Sequence, residues 1–260
     1  MSLRVEIFGQ GERLILLHGW GMNGGIFHPL AHALAERFAV HCVDLPGHGG
    51  SDFVDLQSAE NPLGAIVAEL AAQFSEPISL CGWSLVGQIA LHWAATFPQQ
   101  INKLILVAST PCFTARDDWS CGMAPETLQQ FAEELENNPA ATLRRFLSLQ
   151  VRGTDNEREL LQCLRANLAT QKEPVLAALR AGLAILRDAD LRLTLANIQQ
   201  STLIIAGERD KLTPATASVF MAENLPNAQL SLIDAAAHAP FLSHQAQVVQ
   251  QLNTFLKPKT

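Results

Sequence analysis

The run Leu80-Cys81-Gly82-Trp83-Ser84-Leu85-Val86-Gly87 sets a serine between a β-like segment, Pro77 to Cys81, and a helix-like one, Gln88 to Thr96. A serine on a sharp strand-to-helix turn is lifted clear of the sheet. It stands beside the unpaired N–H groups that open the next helix, which is where a nucleophile belongs. The full signature is G-x-S-x-G. Gly82 fills its first position, Val86 stands where the second small residue is expected, and Gly87 follows one place late. A valine there is expected to widen the contact between helix and strand or to shift the helix.

Outward from this turn, apolar runs alternate with amphipathic ones. Leu14 to Leu17, Phe38 to Val43, Ile78 to Cys81, Ile101 to Ala108, Leu203 to Ala206 and Leu230 to Ile233 read as strands. Leu30 to Ala35, Ala65 to Phe74 and Val86 to Ala95 read as helices between them. Continuously apolar strands separated by helices imply a mostly parallel sheet flanked by helices on both faces, an α/β fold with its site at the strands' carboxyl ends. From Pro111 to Leu193 the alternation stops. Four helices are expected there, Pro125 to Asn137, Ala140 to Val151, Glu157 to Leu168 and Glu173 to Arg187. The expected division is a core of residues 1–110 and 194–260 with a helical lid of residues 111–193.

Two further residues follow strands. Asp210 comes after Leu203 to Ala206, and His238 after Leu230 to Ile233. Each has an ordinary reading on its own. A serine after a strand is commonly a helix cap, an aspartate a turn residue and a histidine a structural one. Together, in the order Ser, Asp, His, they form a relay. His238 would take the Ser84 proton and return it to the leaving group, and Asp210 would hold the imidazole tautomer. Glu208 is the alternative acid. An oxyanion needs two donors, here the N–H of Leu85 and that of Trp20 in His18-Gly19-Trp20-Gly21. Each typically contributes about 3–4 kcal/mol to the transition state. His18 reads as a residue organising its loop. The glycine-rich turn Asp44 to Ser51 lacks G-K-[ST] and any lysine, so it reads as scaffold rather than a phosphate loop.

Composition narrows the partners. The 260 residues are 48% apolar, enough for one large core, and carry a formal charge of −7, which disfavours nucleic acid. No apolar run approaches the roughly 20 residues of a membrane span, and the start of the chain lacks a signal-peptide apolar segment. Five scattered cysteines without C-x-x-C pairs read as reduced thiols in the cytoplasm, with no metal site and no cofactor. A monomer is expected. The chain has no tyrosine, so none can act as acid or oxyanion donor.

These motifs resemble the α/β-hydrolase superfamily over essentially the whole chain. His18 to Asn23, Gly82 to Leu85, Ser109 to Trp119, Arg145 to Gln150 and Ala236 to Phe241 resemble, within it, the pimeloyl-[acyl-carrier-protein] methyl ester esterases. The P-C-F-x-A-R-x-x-W run, Pro111 to Trp119, discriminates best. The resemblance implies a lid inserted after the superfamily's sixth strand and a carboxylesterase acting on an ester borne by acyl-carrier protein. It implies Ser84, Asp210 and His238 as triad. Trp20, Ser84, Leu85, Phe146, Leu147, Ser148, Leu149, Gln150 and His238 would bind substrate. A seven-carbon acyl chain needs an apolar channel, which Trp20, Trp83, Phe113, Phe146, Leu147 and Leu149 are placed to line. The carrier is acidic, so lid cations, Arg145 and Arg158 foremost, are expected to dock it. A general short-chain carboxylesterase or a C–C hydrolase remains an alternative, as does a non-catalytic binding protein of this fold.

Overall fold

The structure is a computed structural model, and residues 2–53 and 61–257 are described. Met1, residues 54–60 and residues 258–260, which fall within the expected core, lie outside the described residues. The strands are β1 (Val5–Phe8), β2 (Glu12–Leu17), β3 (Phe38–Val43), β4 (Ile78–Trp83), β5 (Ile101–Val107), β6 (Ser201–Gly207) and β7 (Ala228–Ile233). They form one sheet in the order β1-β3-β2-β4-β5-β6-β7. β1 pairs antiparallel with β3, and every other pairing is parallel. The helices are α1 (His28–Leu34), α2 (Pro62–Gln73), α3 (Leu85–Thr96), α4 (Pro125–Asn137), α5 (Pro139–Val151), α6 (Glu157–Ala169), α7 (Leu176–Asp188), α8 (Ala215–Asn224), α9 (Pro240–Ser243) and α10 (Gln245–Phe255).

The central strands are apolar at consecutive positions because both faces of the sheet are covered. Ile15, Leu17, Leu104, Leu106 and Ile204 enter one core cluster with Val67 and Leu70 of α2 and Ile89 of α3. Their neighbours Leu14, Leu16, Ile105, Val107, Leu203 and Ile205 enter the other, with Leu30 of α1 and Val248 and Leu252 of α10. All six expected strands are present. β1 escaped the reading because it is a four-residue edge strand that carries Glu6 and is only partly buried.

The four helices α4 to α7 lie between β5 and β6. Five strands of this chain precede them among the described residues, against the six in the superfamily's count. α7 begins at Leu176 rather than Glu173, since Pro174 biases its predecessor away from helix and Val175 is extended at φ −64°, ψ 130°. The two arms joining these helices to the sheet run together. Cys112 bridges Asp190, and Leu191 N–H donates to Pro111 O at 2.9 Å. Arg192 bonds both Asp190 and Asp118 and lies 5.4 Å from the Trp119 ring centre. Arg192, Asp118 and Trp119 therefore clamp the base of the insertion.

Candidate active site

Ser84 occupies the turn between β4 and α3 with φ 63° and ψ −128°, a region a non-glycine residue enters only under strain. Two glycines make the turn possible. A Cβ at Gly82 would lie 2.6 Å from the Val86 carbonyl oxygen, and one at Gly87 would lie 2.1 Å from Ser109 Oγ at the end of β5. After the serine, the position that must be bare is thus Gly87. What approaches Gly82 is the Val86 backbone, which every residue possesses. The Val86 side chain is itself fully buried in the core. The atoms nearest a Cβ at Gly82 are the Val86 carbonyl group and the Ala90 Cβ rather than the Val86 side chain, so Val86 is not expected to be a handicap at Gly82. Val86→Gly should give no gain in rate and should lower stability by roughly 2–4 kcal/mol through lost burial and added chain freedom. Gly87→Ala should lower kcat by driving α3 off Ser109. Ester turnover with denaturant unfolding separates the two outcomes.

His238, in the loop after β7, places Nε2 2.7 Å from Ser84 Oγ and Nδ1 2.8 Å from Asp210 Oδ2. The Asp210 carboxylate has all its acceptor capacity engaged. Oδ1 accepts from Leu212 N–H at 2.8 Å and Thr213 N–H at 3.1 Å, while Oδ2 also accepts from Thr213 Oγ1 at 2.7 Å. A carboxylate only accepts, so His238 Nδ1 carries the proton and Nε2 presents a lone pair to the hydroxyl. Ser84, Asp210 and His238 are all buried. Glu208, the alternative acid, is exposed, and the carboxylate bonded to His238 is that of Asp210. The arrangement can withdraw a proton from Ser84 and return it to a leaving group.

The His18–Trp20 loop, which follows β2, passes directly over the serine: a Cβ at Gly19 would lie 3.1 Å from Ser84 Cβ. The N–H groups of Trp20 and Leu85 have no hydrogen-bond partner among the described residues, as two groups reserved for an oxyanion would not. His18 ties this loop to the next one. Its Nε2 accepts from Leu45 N–H at 3.0 Å, and its Nδ1–H donates to Gly19 O at 2.9 Å. Burial lowers its pKa, and that of the adjacent His48 is pushed down to about 3, first by burial and then by His18. Both rings stay neutral scaffolding. The Asp44 to Ser51 turn is scaffold too: Asp44 accepts from Gly24 N–H and Gly50 N–H.

The residues expected to bind the acyl chain divide. Phe146 and Phe113 join Trp20 and Leu85 in one cluster, against which Leu149 packs. Gln150 is buried, and its carbonyl accepts from His238 N–H at 3.2 Å. Leu147 belongs to the opposite cluster, and Ser148 Oγ bonds back to Arg144 O within its own helix. Trp83 does not line a channel with Trp20. It is fully buried in the opposite cluster against Phe27 and Phe241, because alternate residues of β4 face opposite sides of the sheet. Its indole N–H donates to His238 O at 2.7 Å, so Trp83 anchors the histidine loop. That role had no sequence signal beyond its adjacency to Ser84. Arg145 is half exposed and paired with Glu134, and Arg158 is exposed on α6. Among the described residues no group of three or more His, Cys, Asp or Glu is arranged to hold a metal ion, and no helix is long and apolar enough to cross a membrane.

A doubly covered sheet, a serine on a strained strand-to-helix turn and a buried acid-histidine pair behind it define an α/β hydrolase. A family model of the alpha/beta hydrolase fold matches residues 12–245. An esterase from Exiguobacterium antarcticum superposes with a TM-score of 0.88 at 25% identity, covering 98% of this chain and 96% of that one. The pimeloyl-[acyl-carrier protein] methyl ester esterase of Nitrosomonas europaea is 42% identical over 95% of this chain and 97% of its own length. That of Aeromonas hydrophila is 41% identical over 98% and 100%. The chain belongs to the α/β-hydrolase family and, within it, to the family of these methyl ester esterases.

Proposed function

We propose that the chain is a serine carboxylesterase that hydrolyses the methyl ester of a pimeloyl group carried on acyl-carrier protein. The observation that carries this reading is the unbroken relay from Ser84 Oγ through His238 to Asp210, in a chain about 40% identical to esterases of that name over nearly its full length. As Ser84 Oγ attacks the ester carbonyl, His238 Nε2 takes its proton. The carbonyl oxygen gains the negative charge and is received by the N–H groups of Trp20 and Leu85. Collapse breaks the bond to the methoxyl oxygen, which leaves as methanol with the proton from His238. The acyl group stays on Ser84. A water deprotonated by His238 then repeats the sequence, freeing the ω-carboxylate and restoring the serine.

With Ser84 7% exposed and His238 1%, an acyl chain reaches the hydroxyl only if the covering helices move. Residues 111–193 thus act as a lid on the core, and Phe146, Leu149 and Gln150 lie on its inner side. The five unpaired cysteines support a reducing compartment, the cytoplasm. The test is methanol release from the carrier-bound ester, compared with p-nitrophenyl acetate and butyrate. A much higher kcat/KM on the carrier-bound ester is expected. No methanol, or a preference for small esters, contradicts the assignment.

Arg145 and Arg158 sit on the lid's outer surface and suit an acidic carrier. Reversing both to Glu is expected to lower kcat/KM on the carrier-bound ester on the order of tenfold, through the association rate, and to spare small esters. Equal loss on both substrates removes the docking role.

A further inference from the structure

Trp20 is tied to the covering helices by its side chain as well as placed beside Ser84 by its backbone. The indole Nε1–H donates to Leu179 O of α7 at 2.9 Å. The ring meets Phe131 of α4 and Phe146 of α5 edge-on, with centroids 5.6 and 5.0 Å away. One turn after Leu179, Gly182 sits inside α7. A Cβ there would lie 2.5 Å from Trp20 Cδ1, 3.0 Å from Nε1 and 3.2 Å from Leu85 Cδ2. Glycine is disfavoured against alanine in a helix interior, and nothing in the local helical backbone calls for it. What the missing side chain permits is close seating of α7 on both Trp20 and Leu85, the two residues whose N–H groups receive the oxyanion.

We infer that Gly182 is a positioning residue: its bare Cα lets α7 close onto the Trp20 indole and the Leu85 side chain, and this seating sets both oxyanion donors. The inference rests on the esterase reading. It makes lid closure and assembly of the oxyanion hole one event. With the lid displaced, the indole loses its acceptor and its aromatic neighbours, and the peptide of Trp20 is free to shift. With the lid seated, the donor is fixed. Misplacement of a reacting group by about an ångström costs on the order of 100-fold in rate.

The test is a double-variant cycle on p-nitrophenyl butyrate, which needs no carrier docking. Gly182→Ala is expected to lower kcat at least tenfold with KM changed less than twofold. Its unfolding midpoint should fall only modestly, since the helix propensity gained by alanine offsets part of the packing lost at Trp20. In a Trp20→Ala background no indole remains to be struck, and adding Gly182→Ala should cost less than twofold. Wild-type kcat in Gly182→Ala overturns the proposal. So does an equal loss in both backgrounds, or a Gly182→Ala protein that fails to fold or loses stability in step with rate. Failure of the esterase reading shows separately, as a wild type that does not turn over the ester, and removes the proposal with it.

Discussion

Ser84→Ala is expected to lower ester turnover by roughly 10⁶-fold, with KM little changed. Ser84 Oγ is 2.7 Å from His238 Nε2, the group that would take its proton. Removing the oxygen removes the acyl-enzyme route altogether. The Trp20 and Leu85 N–H groups stay where they are, so binding of the ester carbonyl persists, as does a residual rate above water. Stability should rise slightly if it changes at all. The turn holds a non-glycine residue at φ 63° whichever of the two residues occupies it, while alanine leaves no buried hydroxyl to satisfy. Single-turnover and steady-state kinetics with p-nitrophenyl butyrate, beside a denaturant melt, measure both quantities.

Asp210→Asn should cost about 10⁴-fold in kcat while leaving the fold intact. The donors around the carboxylate dictate this loss. Two backbone N–H groups face Oδ1, so an asparagine is forced to turn its carbonyl oxygen toward Leu212 and Thr213. Its NH₂ then faces His238 Nδ1. A donor there obliges Nδ1 to accept, which moves the ring proton to Nε2 and leaves no lone pair for the Ser84 proton. Asp210→Ala lacks the opposing donor but strands Leu212 N–H, Thr213 N–H and the Thr213 hydroxyl. It should therefore be less stable than Asp210→Asn. Equal activity of the Asn variant and the wild type removes Asp210 from the relay.

Much of this architecture could be read from residues alone, because burial on two sides imposes an unbroken apolar run on each central strand. Leu14 to Leu17 and Leu203 to Ala206 are such runs, and each is followed by a residue of the site. β1 obeys no such constraint, being an antiparallel edge strand with one partner. The placing of Ser84, His238 and Asp210 within hydrogen-bond reach of one another was legible because the three follow strands in a fixed order, and Asp210 rather than Glu208 is the acid bonded to His238. What sequence could not convey was direction in space. Trp83 and Trp20 look alike as aromatic neighbours of the site, yet the pleat sends one beneath the histidine and the loop sends the other toward α7. Val86 looked like a defect because the signature records a residue type, whereas the fold requires clearance, and Gly87 supplies that clearance against Ser109.

Nucleophilicity of the Ser84 hydroxyl is expected to depend on three side chains distant in sequence. The direct measurement is intact-mass and peptide-mass analysis after exposure to a fluorophosphonate. One adduct per chain, on the peptide containing Ser84 and absent in His238→Gln, is the predicted result. An unlabelled wild type, or an adduct on another residue with Ser84 unmodified, contradicts the account.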